Sequence, residues 1–285
     1  MAAVRGYRPF RSAVGTVGRV ALTPTQERTL EQLRRSGDPV VFDAGLIGEL
    51  QTEVRAAVDE FAERLDPGDE LFVSKYRIGS VLECEDHHLA EDEFDWSPAK
   101  AKGKVSHRAI QLMVSWKGEA TPTDLVDEAI ARLAEEDRSV GPWIAAIDPA
   151  DHADLRGQTV DHVTQFMEGF PPLRKEWHPV TETRIRWPND GPIILSGQVD
   201  LTFGRPSGTE SRKVIIDLKT GRANARHRQD LGFYALVETL RTGVPPRKVA
   251  TYYLDAADAH AEDVTESLLH SAVRRTLDGI NALIE

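Results

Sequence analysis

Cysteine is almost missing from this chain: Cys84 is the only one in 285 residues. No intrachain disulfide can form, and no cysteine-based zinc or iron–sulfur site can be built. That usage fits a reducing, cytoplasmic setting. No apolar run is long enough to span a bilayer. The stretch from Met1 to Pro24 carries scattered Arg but not the long apolar segment of a secretory leader, and residues 1–22 read as a flexible arm. The phosphate-cradling pattern GxxxxGK[ST] is absent, which excludes an ATP motor of that kind. So are the GxSxG elbow of serine hydrolases and the HExxH zinc pattern. An excess of basic charge is lacking too. The formal net charge of −11 argues against a surface coated for nucleic acid, while leaving room for a local basic groove. There is no internal repeat.

What is present divides into two halves. The first is mostly helical. Thr23-Pro24-Thr25-Gln26 reads as a capping box and Gly37 as a stop. Further helices are predicted from Ala44 to Leu65, from Ser74 to about Leu89, and over 103–115, 123–136 and 151–170. Leu71-Phe72-Val73 is a short apolar run between two of them, and residues 91–98 form an acid-rich loop. The second half alternates apolar and polar residues instead. Strands are expected over 179–187, 193–203, 213–219 and 249–254. A helix is expected from Ala225 to Leu240, and another from about Asp263. The order is strand, strand, strand, helix, strand, helix.

The third strand ends in Asp217-Leu218-Lys219-Thr220-Gly221. Strand side chains alternate, so Asp217 and Lys219 share a face. A salt-bridged, solvated strand end would look like this. The preceding strand, however, carries Gly197-Gln198-Val199-Asp200, a second carboxylate among apolar neighbours. Asp200 and Asp217 can converge across an antiparallel pair, and two buried carboxylates repel unless a cation lies between them. Mg²⁺ takes oxygen ligands and keeps waters, so two carboxylates, the Leu218 backbone carbonyl and water would suit it. Lys219 would then hold a water or a phosphate oxygen nearby.

The series Gly197-x-x-Asp200, Asp217-x-Lys219-Thr220-Gly221 and a helix carrying Tyr234-Ala235 resembles the RecB-like branch of the PD-(D/E)XK nucleases. The resemblance implies an α/β fold: a restriction-endonuclease-like mixed β-sheet flanked by helices, with a mostly helical N-terminal half. Residues 176–285 would form the nuclease core, and 23–175 a helical region packed on it. It implies a Mg²⁺- or Mn²⁺-dependent deoxyribonuclease, an exonuclease of DNA repair, recombination or phage defence. His107, on a helix of its own, looks like the family's histidine ligand and would join Asp200, Asp217 and the Leu218 carbonyl at the metal. Asp200, Asp217 and Lys219 would be catalytic, and Glu182 resembles the acid on the first core strand. The family often carries Gln four residues before the helix Tyr. Here Asp230 stands at that place and Gln229 one earlier, so the role of Gln229 is open. The resemblance is specific over about 182–235, weaker over 71–114, and says little of 1–70 or 115–175.

Other side chains admit more than one reading. Arg222 and Arg226 lie in a locally basic stretch that reads as a phosphate-binding groove or as ordinary surface charge. Trp177 and Trp187 read as base-stacking platforms or as core. His87-His88 sits among acids, as a metal site or a solvated surface. Some relatives hold an iron–sulfur cluster on four cysteines; Cys84 stands where such a set begins, but a single thiol excludes the cluster. DNA is the expected partner, with any unwinding left to a separate helicase. The alternatives are a catalytically weak scaffold that binds DNA or a protein, and a site-specific endonuclease.

Overall fold

A computed structural model describes residues 21–35, 37–83 and 94–285. Cys84, His87-His88 and most of the N-terminal arm lie outside the described residues. The helical half contains α1 (Pro24–Leu33), α2 (Ala44–Ala62), α3 (Lys75–Glu83), α4 (Pro98–Ser115), α5 (Pro122–Glu136), α6 (Val140–Ala146) and α7 (Pro149–Gly169). Two short strands, β1 (Val40–Val41) and β2 (Leu71–Val73), interrupt it. Then come β3 (Val180–Trp187), β4 (Ile193–Phe203), β5 (Glu210–Ser211), β6 (Val214–Lys219), α8 (Ala225–Thr242), β7 (Lys248–Tyr253), β8 (Asp258–Asp263) and α9 (Glu266–Ile284).

Helix starts follow the capping chemistry. Thr23 and Gln26 form the reciprocal capping box at α1. Ser97 accepts from the Lys100 amide and Pro98 fills the first turn, so α4 begins at 98, one and a half turns before the expected start. His107 therefore sits in the middle of a regular helix. Asn224 caps α8, and Gly243 ends it in the left-handed conformation at φ 71°.

The sheet is mixed and flanked by helices, as a restriction-endonuclease-like fold requires. Its order is β2-β4-β6-β7-β8, with β3 also on β4. The registers explain how β4 serves three partners. Leu195 pairs with Val73 of β2 and with Trp187 of β3. Leu201 pairs with Thr181 of β3 and with Ile216 of β6. So β2 and β6 share the edge of β4 opposite β3. β2 runs parallel to β4 and β6 antiparallel, which points their C-terminal ends at each other across Ser196–Asp200. The core sheet thus draws on Leu71–Val73, well before residue 176.

One face of the sheet buries Ile193, Leu195, Val199 and Ile215 against α8, α9 and α2. From Leu231 to Leu240 every residue of α8 is buried, as befits a helix held between the sheet and α9. The other face buries Leu201, Phe203, Ile216, Leu218 and Tyr252 against Phe166, Phe170 and Ile110. Helices α4 to α7 add their own core through Ala101, Val105, Ala109, Leu125, Ala129 and Val163. No described helix is long and apolar enough to cross a membrane.

Two strands were not expected as such. β8 reads Asp-Ala-His-Ala-Glu-Asp, a polar edge strand held only by its ladder to β7. β2 has three residues, too few for a period to register.

Candidate metal and phosphate site

The ladder between β3 and β4 is regular except at one place, where Glu182 and Asp200 stand unpaired between Thr181↔Leu201 and Thr183↔Val199. Glu182 has a left-handed φ of 53°. A non-glycine residue rarely adopts that conformation, and it costs about 1–3 kcal/mol where it persists. The kink changes which face β4 presents. Val199 packs in one core and Leu201 in the other. Asp200 lies at the switch, turned toward α4.

There it meets His107, whose Nδ1 is 3.4 Å from Asp200 Oδ1. The other ring nitrogen, Nε2, lies 3.1 Å from the Leu218 carbonyl oxygen. A carbonyl can only accept, so this contact places the proton on Nε2 and leaves Nδ1 facing the carboxylates. The Leu218 carbonyl, expected as a metal ligand, is thus engaged in orienting the imidazole. The Leu218 amide donates to Asp200 Oδ2 at 2.7 Å. Glu182 completes a trio with His107 and Asp200 whose ligand atoms all lie within 4.8 Å of one another; among the described residues it is the one such cluster of His and acid side chains. Gln198 donates to Glu182 in a short hydrogen bond.

The trio lines a cleft of about 460 Å³ together with Lys104, Arg108, Gln111 and Asp137. Burial works against charge on His107, yet the Asp200 carboxylate outweighs it and raises the imidazole to about 9. Burial pushes the Glu182 carboxyl up, with Asp200 adding to the rise. Both shifts describe a site with more negative charge than its own groups can neutralise. One nitrogen and two carboxylates form a donor set that fits a small divalent cation.

Asp217 points elsewhere. It follows Ile215 on the α8 side of the sheet and is only 1 % exposed. Its Oδ1 lies 2.6 Å from Lys75 Nζ and its Oδ2 2.9 Å from Lys219 Nζ. Burial alone would raise this carboxyl, but the two ammonium groups hold it below the usual carboxylate range. The expectation that Asp217 and Asp200 bind one ion together meets this arrangement: an ion taking Asp217 as ligand must displace a lysine from it. Leu218 is the backbone link between the two sets.

Asp230, on the first turns of α8, joins the lysine side, with Oδ2 3.7 Å from Lys75 and 3.9 Å from Lys219. Gln229 does not. It is exposed and lines a separate cavity of about 310 Å³ with Ser271 and Arg275. Helical rotation decides the matter: Asp230 and Tyr234 are four apart and share a face. The Tyr234 hydroxyl donates to the Gln198 carbonyl at 2.6 Å, and its ring carries Lys75 Nζ 4.6 Å from the centroid. A Cβ at Gly197 would fall 2.6 Å from Tyr234 Cε1, which is why glycine stands there.

Lys75 is the site residue that sequence reasoning missed. It opens α3 immediately after β2, and only the pairing of β2 with β4 brings it to Asp217. The flanking arginines do not assemble into a groove. Arg226 is held by Glu83, Arg228 by Glu262 and Arg212 by Glu210, while Arg222 is exposed. Trp187 is buried and Trp177 packs edge-on to Phe203, so both belong to the packing and not to a stacking platform.

A family model described as the PD-(D/E)XK nuclease superfamily matches residues 73–281. The chain belongs to that superfamily. The match begins at Val73, so it takes in Lys75 and α4 as well as the strands. A metal-dependent nuclease is the activity that membership indicates, and the His107–Glu182–Asp200 trio supplies ligands for a metal. No curated protein matches the sequence.

Proposed function

We propose that the protein is a Mg²⁺- or Mn²⁺-dependent deoxyribonuclease of the RecB-like branch, cutting phosphodiester bonds as an exonuclease in repair, recombination or phage defence. The observation that carries this reading is the meeting, around Leu218, of a His–Glu–Asp donor set with an Asp–Lys pair from the same strand end.

His107, Glu182 and Asp200 would hold the ion, which when bound polarises the phosphate and lowers the pKa of the attacking water. Asp217 fixes the Lys219 ammonium by a contact of 2.9 Å. A lysine so held can offer its remaining hydrogens to a water or to a phosphate oxygen as charge builds there. Tyr234 braces β4 from behind through the Gln198 carbonyl, so the strand carrying Asp200 cannot drift from the lysines. DNA is the proposed substrate and a cytoplasmic setting the proposed location. The acidic surface and the paired arginines leave strand delivery to a separate helicase or comparable partner.

The test is cleavage of labelled single- and double-stranded DNA with Mg²⁺, Mn²⁺ or EDTA. Cleavage should need the metal and vanish in Asp217→Ala and Lys219→Ala; activity surviving in both variants overturns the mechanism. Closed circles should resist, and nicking of circles would assign an endonuclease instead.

A further inference from the structure

The charged groups of the site fall into two balanced sets. On the α8 side, Asp217 and Asp230 face two ammonium groups, Lys75 and Lys219, all within 3.9 Å of a partner. On the α4 side, Glu182 and Asp200 stand with His107, whose neutral form is the one that ligates. Buried charge persists where it is matched. Two carboxylates are already matched by two lysines, and the two that remain match one divalent ion.

Lys75 is built into its place. Its position is set by the three-residue ladder of β2 on β4, and its ammonium rests against Tyr234, itself anchored to Gln198. We propose that Lys75 stands where a second metal ion would otherwise bind, so that the site takes a single divalent ion, and that removing its charge opens a second ion site on Asp217 and Asp230. The proposal rests on the metal-nuclease reading for the nature of the ion.

The experiment counts bound Mn²⁺ on the full chain without DNA, by electron paramagnetic resonance of the free ion and by calorimetry. The expected stoichiometry is one for the wild type and two for Lys75→Met, falling back to one in Lys75→Met/Asp217→Asn. Met keeps the stem and packs its sulfur on Tyr234. Lys75→Gln serves as second variant if Met does not fold, with circular dichroism as the check. Two ions in the wild type, or one in the folded Lys75 variant, overturns the proposal. A wild type that binds no Mn²⁺ overturns the metal-nuclease reading, and the proposal with it.

Discussion

Neutralising Asp217 tests how tightly the lysine side of the site is coupled. In Asp217→Asn the two ammonium groups lose a partner that is 1 % exposed. At 2.6 Å and 2.9 Å each attraction is worth about 6 kcal/mol at an effective dielectric of about 20. Desolvation of the three charges offsets most of that gain, and removing one member of a buried pair costs about 3–5 kcal/mol in net terms. Asp230 lies close enough to absorb part of the loss, which places the expectation near the lower figure. Lys75→Met alone leaves Asp217 with Lys219 and should cost less. The double variant has one unpaired ammonium fewer than Asp217→Asn, so the two effects should fall short of additivity by about 1–3 kcal/mol. Urea denaturation of the four proteins, without metal, reads this coupling. Additivity within about 0.5 kcal/mol would refute the claim that Lys75 and Asp217 form one charge-matched unit.

Further outcomes follow from the same geometry. His107 is raised to about 9 from an ordinary imidazole value of about 6.5. Its share of metal-free stability is therefore full below about pH 6.5 and fades as pH climbs through about 9. Since Nδ1 must lose its proton to ligate, Mn²⁺ should bind more tightly across that same rise and release protons as it does. Calorimetry in buffers of different ionisation enthalpy measures the release, and a pH-independent affinity would contradict it. Gly197→Ala drives a methyl group into the Tyr234 ring and should destabilise by about 1–3 kcal/mol in a thermal melt; the companion Tyr234→Leu should relieve part of that cost. Glu182→Gly removes a left-handed non-glycine residue and should raise the unfolding midpoint by about 1 kcal/mol while weakening Mn²⁺ binding; a lowered midpoint would show that φ 53° carries no strain.

Much of the core was legible because its signals are local. The β-branched run Val214–Ile216 marks β6, Asn189 to Pro192 marks the turn before β4, and Asn224 and Gly243 bracket α8. The choice between Gln229 and Asp230 was posed correctly by helical period, and the structure places Asp230 at the site. What was not legible depends on tertiary pairing. Lys75 looks like any lysine at a helix start until β2 docks on β4. The separation of Asp200 from Asp217 comes from the kink at Glu182, and no residue preference announces a left-handed glutamate. The short helix α6 hides behind Gly141-Pro142, which reads as a breaker. The pairing of Arg226 with Glu83 joins residues 143 apart, which no local pattern can foresee.

The ion-binding trio is open to a direct measurement: anomalous diffraction from crystals of the protein soaked in Mn²⁺. The account predicts a peak bounded by His107 Nδ1 and the carboxylates of Glu182 and Asp200. A site that stays empty in saturating Mn²⁺, or a lone peak away from these three side chains, would contradict it.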